Sequence, residues 1–326
     1  MMGEDFTILA VVQGGRLEYE ALVFMASLRS SGNGQPVILA EPQPGPLWTD
    51  DPRIANPFVR AKLLEMGAEI VPLNNRHFGT AYPYGNKIEA IGLLPEQPFV
   101  FFDTDTIFLS ELARVPFDFD RPSASLRREG TWPKALPNWP GHARVWQSLY
   151  DRIGVDFVSS LDLKRPADDW QRYLYFNAGF FFHRSPGEFG DRFLRYALSV
   201  RDDPPVELAG QKLTPWLDQI VLPLVIHSFG GGVDALPNGL LDGSITNHYR
   251  TPSLLYARET DQAIAAFEAA VARPGIRQLL QESPTFQHIL RGHTAQKIRA
   301  MFADKTAHEN EAFYRKKLKS AGLWLR

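Results

Sequence analysis

Cysteine is absent from the 326 residues, which excludes disulfides and thiolate metal sites and fits a reducing compartment. No apolar run approaches the roughly 20 residues that a membrane-spanning helix needs. Neither sign of charge dominates, with 35 Lys and Arg against 37 Asp and Glu. A sequence pI near 6.5 lacks the basic footprint of a nucleic-acid-binding protein. Internal repeats and low-complexity segments are missing too. The acidic start, Met1 to Phe6, is unlike a basic-then-apolar signal peptide. The expectation is a soluble protein of the cytoplasm. What remains is an ordinary globular composition, 44% hydrophobic and 22% charged, at a length for one large α/β domain or a domain with an appendage.

Apolar runs at 6–12, 36–40 and 68–73 read as strands, and residues 16–30 and 59–66 carry apolar positions at helical spacing. Another helix is expected at about 86–94. Strands alternating with helices predict a parallel, doubly wound sheet, whose ligands sit beyond the carboxyl ends of its strands. The turn Gln13-Gly14-Gly15 lacks the G-x-G-x-x-G spacing of a dinucleotide site. From about 116 to 172 the pattern loosens, and Trp132, Pro133, Pro137, Trp139 and Pro140 cluster there. Such a loop is either a lid or acceptor surface, or is stapled to the core by its tryptophans. Order returns at 175–183, 187–200 and 216–222, then at a loop and strand ending at Arg250. After about 257 the chain reads as helical, divided by Pro274 and Pro284.

The stretch from Phe99 to Leu109 organises the rest. Four apolar residues form a buried strand and deliver Asp103-Thr104-Asp105 where the run stops. Side chains at i and i+2 share one face of a strand, so both carboxylates are expected to converge. Two anions that close repel unless a cation or hydrogen-bond array lies between them, and a hard divalent ion shared with phosphate oxygens satisfies that demand. The plainer reading is a solvated turn. Asn177-Ala178-Gly179 interrupts its strand with a small polar break, which often marks the close approach of a ligand or another backbone. Asp218 and Gln219 lie just inside a helical stripe, where they could simply cap the helix.

Taken together, Phe101 to Thr106, Tyr175 to Gly179, Asp218-Gln219 and Asn247-His248-Tyr249 resemble, in order and rough spacing, the retaining GT-A glycosyltransferases related to family 8. That is the glycogenin and bacterial galactosyltransferase type, and the similarity covers about residues 6–250. The resemblance implies that Asp103, Asp105 and His248 hold Mn2+ or Mg2+ against the two phosphates of a nucleotide sugar. It implies that Asn177 lines the sugar pocket, with Ala178 and Gly179 keeping its wall thin. Asp218 would bond sugar hydroxyls and Gln219 would lie near the reacting carbon. Lys87 matches a basic residue that pairs with Asp103 or the donor sugar, and Thr104 belongs with the substrate-binding set. Two departures stand out. Gln13 occupies the place of an acidic residue near the base, with UDP as the default, and Arg250 stands where the family has a Gly- and Lys-containing phosphate loop.

The implied architecture is the GT-A fold: a mixed, mostly parallel sheet flanked by helices, with a catalytic domain at 1–256 and a helical C-terminal extension at 257–326. The implied partners are a nucleotide-sugar donor and a glycan, lipid-linked or protein acceptor, with no nucleic acid. A sugar-nucleotide pyrophosphorylase and a non-catalytic glycan-binding protein on the same scaffold are the alternatives. The tail from Phe313 to Arg326 mixes basic and aromatic residues. It reads either as a weak peripheral contact with the inner membrane surface or as a terminal helix packed on the catalytic domain.

Overall fold

The structure is a computed structural model that describes residues 5–128, 130–291, 293–303 and 310–324. Met1 to Glu4 of the acidic start, and Leu325 and Arg326 of the basic tail, lie outside the described residues. Strand β1 (Thr7–Val11) leads through Gly14-Gly15 into helix α1 (Arg16–Ser30). Gly15 adopts φ +82°, a left-handed conformation that suits glycine, and its N–H donates to Glu18 at 3.2 Å. Then come β2 (Val37–Pro42), α2 (Pro57–Glu65) and β3 (Ala68–Leu73). The Asn56 side chain accepts from the Phe58 and Val59 N–H groups and Pro57 opens the helix, so α2 starts two residues earlier than its apolar spacing indicates. The helix expected over 86–94 divides into α3 (Asn86–Ala90) and a 3-10 turn (Ile91–Leu93).

Next in order are β4 (Phe99–Phe102), β5 (Thr106–Phe108), β6 (Ala124–Ser125), α4 (His142–Ile153), β7 (Asn177–His183), α5 (Pro186–Asp202), α6 (Leu217–Ser228) and β8 (Thr246–His248). The chain closes with α7 (Pro252–Arg258), α8 (Asp261–Ala272), α9 (Ile276–Leu280), α10 (Pro284–Leu290), α11 (Thr294–Met301) and α12 (Glu311–Ser320). Among the described residues, no helix is long and apolar enough to cross a membrane. The six-stranded sheet runs β3-β2-β1-β4-β7-β6. β1 to β4 are mutually parallel, while β7 is antiparallel to both β4 and β6. A separate antiparallel pair, β5 and β8, sets Thr106 opposite His248. This is the mixed, mostly parallel sheet flanked by helices, with a helical C-terminal region.

Alternation along the strands divides the core in two. Ile8, Ala10, Val100 and Phe102 face α1 and the C-terminal helices, whereas Leu9, Phe99 and Phe101 face α4, α5 and α6. The region after 257 shares the first of these cores, and Arg273 on its edge donates to Ser30 Oγ of α1 at 2.9 Å. In the basic tail, Tyr314 and Leu318 are buried, so α12 packs on the rest of the chain. Burying Leu318 alone contributes about 2 kcal/mol.

Three local expectations are corrected. Asp103-Thr104-Asp105 is not the end of a strand: β4 stops at Phe102 and the three residues form the turn into β5. The strand expected from Tyr175 begins at Asn177. The loosely patterned segment contains α4, whose Val145, Trp146, Leu149 and Tyr150 are buried. Its neighbour Trp132 is also buried and meets Trp146 edge-on at 5.7 Å, so this tryptophan staples the segment to the core.

Candidate active site

The sheet order reverses between β1 and β4. From β1 the chain works outward through β2 and β3, then returns to place β4 on the other flank of β1. Two neighbouring parallel strands whose connections leave in opposite directions open a crevice at their carboxyl ends. A cleft of about 510 Å³ lies there, and it is lined by every candidate site residue: Gln13, Lys87, Asp103, Thr104, Asp105, Asn177, Ala178, Asp218, Gln219, His248 and Arg250.

The turn after β4 is fixed from both sides. The Asp103 N–H donates to the Gly179 carbonyl at 2.9 Å, and the Tyr249 N–H donates to the Asp105 carbonyl at 3.0 Å. With Thr106 paired to His248, Asp105 sits beside the imidazole, whose Nε2 is 2.9 Å from its carboxylate and 4.0 Å from that of Asp103. One ligand atom from each of Asp103, Asp105 and His248 falls within 4.8 Å of the others. Two carboxylates and one imidazole, converging this closely at a cleft wall, fit a divalent ion of the Mg2+ or Mn2+ kind. Burial works to raise the Asp105 carboxyl, but His248, Arg16 and Arg250 outweigh it and hold it well below the usual range.

Lys87 projects from α3 and is only 7% exposed. Its ammonium lies 2.9 Å from Asp103 and 3.4 Å from Asp218, and it donates to the Ala178 carbonyl at 3.0 Å. Burial alone would lower this amine; the two carboxylates raise it instead, so the cation is locked between the turn after β4 and the start of α6. Asp218 also accepts from the Tyr82 hydroxyl at 2.8 Å, and that hydroxyl accepts from the Asp218 N–H at 2.8 Å. Burial pushes the Asp218 carboxyl upward, against the pull of Lys87 and Tyr82. Gln219 accepts from the Tyr175 hydroxyl at 3.0 Å, which fixes its amide. Gln13 accepts from Asn86 at 3.4 Å. Asn177 spends its side-chain oxygen locally, accepting from the Gly179 N–H at 2.8 Å.

Several lining residues escaped the sequence reading. Arg16, in the first turn of α1, pairs with Glu20 at 2.6 Å and lies 3.8 Å from Asp105. The Arg16–Glu20 spacing of four on a helix that follows a strand-end turn was the available signal. Behind the wall, Tyr82 gave no signal and Tyr175 was legible only as the start of its motif, because each hydroxyl is aimed by a tertiary contact, with Asp218 and Gln219 respectively. Glu311, Arg315 and Trp324 arrive from the far end of the chain. With them, Arg16, Lys87, Arg250 and Arg315 balance Asp103, Asp105, Asp218 and Glu311 around one cleft. Near-neutral walls leave room for a dication and a polyanion to enter together.

Residues 8–230 match the family described as Rhodobacterales glycosyltransferase domain. No curated protein matches the chain. Solved structures with some similarity include the bifunctional glycosyltransferase WbbM in its apo form, at a TM-score of 0.46 and 11% identity over 87% of this chain and 52% of that one. The apo form of the glycosyltransferase GlyE from Streptococcus pneumoniae TIGR4 gives 0.45 and 12%, over 86% and 64% of the two chains. The galactosyltransferase LgtC, in complex with donor and acceptor sugar analogs, gives 0.46 and 12%, over 85% and 100%. The chain thus spans about half of WbbM and under two thirds of GlyE.

Proposed function

The chain belongs to the Rhodobacterales glycosyltransferase domain family, and from that premise we propose that it transfers a sugar from a nucleotide diphosphate, with UDP as carrier, using a divalent ion and retaining the configuration of the sugar. The observation that carries this reading is the convergence of Asp103, Asp105 and His248 within 4.8 Å at the wall of the cleft. These three residues would hold the ion, with Mn2+ favoured over Mg2+ by the imidazole. When bound, such an ion supplies Lewis-acid stabilisation of charge on the departing diphosphate.

The remaining roles are those the resemblance implies, and the way Asp218, Lys87 and Gln219 are held supports them. Asp218, fixed by Tyr82 and Lys87, accepts hydrogen bonds from sugar hydroxyls. Lys87, occupied by two carboxylates, sets the position of Asp218 relative to Asp103. Gln219 is a poor nucleophile. Its amide, oriented by Tyr175, offers a fixed dipole to the positive charge of an oxocarbenium-like transition state. By the resemblance, Asn177 and Ala178 would line the sugar pocket, Arg250 would take the cationic role toward the phosphates, Gln13 would stand near the base, and Thr104 would join the substrate contacts.

The first test is a thermal-shift panel of nucleotide sugars with and without Mn2+, paired with a turnover assay in excess EDTA. Ligand at a hundred times its Kd stabilises the folded state by about 2.7 kcal/mol, so UDP with Mn2+ is expected to raise Tm by several degrees, and EDTA to remove both shift and turnover. Full transfer activity in EDTA would sink the metal reading. Retention rests on the resemblance alone. Proton NMR of the fresh product is expected to show the donor's anomeric configuration, and an inverted linkage would remove the retaining mechanism.

A further inference from the structure

Resting on the nucleotide-sugar reading above, we propose that the C-terminal segment 310–324 is part of the donor-binding site, with Arg315 supplying a guanidinium to the donor's diphosphate. The basic, aromatic tail has been drawn into the cleft. α12 begins at Glu311, which is buried and lines the cleft together with Arg315 and Trp324. After α12, Gly322 turns the chain back at φ +68°, and the Leu323 N–H closes onto the Leu318 carbonyl at 2.8 Å. This is the hydrogen bond that reverses a chain at a helix end, and glycine accepts the conformation at least cost. Ser253 Oγ then donates to the Leu323 carbonyl at 2.8 Å, which fastens the returning chain to α7 and sets Trp324 on the cleft. The Arg315 guanidinium stacks over that ring at 5.0 Å.

The charge arrangement shows what the stacked guanidinium faces. Glu311 accepts from Arg315, its neighbour one turn on, and pairs with Arg250 at 3.1 Å. Two guanidiniums of the cleft wall thus share one carboxylate, and Arg258 draws on it as well at 3.4 Å. The Nε of Arg250 and the Nε of Arg315 are both buried without a hydrogen-bond partner. A guanidinium has five N–H donors in a rigid fork, and an unmet buried donor carries a desolvation penalty. Clustered guanidiniums, unmet donors and a place in the same cleft as the carboxylate–imidazole cluster together suit the donor's diphosphate, whose oxygens accept such forks in pairs.

The test is isothermal titration of the full chain with UDP, ADP, GDP and CDP in the presence of Mn2+. Arg315→Gln is expected to weaken the tightest of these nucleotides about tenfold, in line with a charge-assisted hydrogen bond. Arg315→Lys, which keeps the charge but loses the planar fork and its stacking, should recover only part of that loss, while the ligand-free Tm and Mn2+ affinity stay near wild type. Lys316→Gln, on the exposed side of α12, is expected to bind as wild type. If Arg315→Gln fails to fold, phenylglyoxal labelling of the wild-type chain decides, since bound nucleotide and Mn2+ should shield Arg315. Unchanged affinity in Arg315→Gln, or unchanged labelling, would overturn this inference alone. Failure of every nucleoside diphosphate to bind the wild type would overturn the donor reading, and this inference with it.

Discussion

Asp105→Asn is expected to abolish at least 99% of transferase activity while leaving the fold intact. Asparagine keeps the shape but cannot bring the negative charge that a hard cation needs from this side of the cleft. Loss of a metal ligand removes several kcal/mol of transition-state stabilisation, and about 2.7 kcal/mol already amounts to a hundredfold. The fold survives because the neighbouring cations keep other partners: Arg16 retains Glu20 at 2.6 Å and Arg250 retains Glu311 at 3.1 Å. Neither guanidinium is left alone in a buried place, the situation that makes a broken ion pair so costly. The ligand-free Tm should therefore move by only a few degrees, while the shift produced by UDP with Mn2+ disappears. A variant that still transfers sugar at more than a tenth of the wild-type rate would overturn the proposal that Asp105 holds an ion the reaction needs.

What the sequence made legible was local. β3 and α1 occupy the very residues that the sequence pattern assigns them, because turn residues bound each of them, Gly15 and Gly32 around α1 and Gly67 and Asn74 around β3. Several candidate residues share one cleft because strand ends and helix starts in a parallel sheet meet at the same edge, and antiparallel β7 brings its start, Asn177 and Ala178, to that edge. Less legible was anything decided by pairing between distant segments. The carboxylates of Asp103 and Asp105 converge, but through a turn braced by Gly179 and Tyr249 and not through strand alternation. α4 was hidden by the prolines before it, although its apolar spacing of four was present. A terminal helix packed on the rest of the chain was one of the two readings of the tail, but that Trp324 and Arg315 reach the cleft was not legible, since a reversal at Gly322 and a bond from Ser253 set them, and neither is a periodic signal.

Gly179→Ala is expected to cost as much activity as removing a metal ligand, although the glycine itself carries no chemistry. A Cβ at this position would lie 2.3 Å from His248 Nδ1, 2.7 Å from its Cε1 and 3.0 Å from Asn177 Oδ1. The close approach that a glycine inside a strand advertises is thus to the His248 ring. The ring cannot slide aside freely, since His248 is only 7% exposed and its backbone is paired with β5. The Gly179 backbone is held as well, donating to Asn177 and accepting from Asp103. Overpacking of this kind costs about 1–3 kcal/mol of stability, and moving a reacting group by about 1 Å costs on the order of a hundredfold in rate. A double-mutant cycle with His248→Ala separates the two effects. If the methyl acts through the imidazole, adding Gly179→Ala to His248→Ala costs little further activity, because the truncated side chain leaves it room. Multiplicative losses, or near wild-type turnover in Gly179→Ala alone, would show that the position of the His248 ring does not limit the reaction.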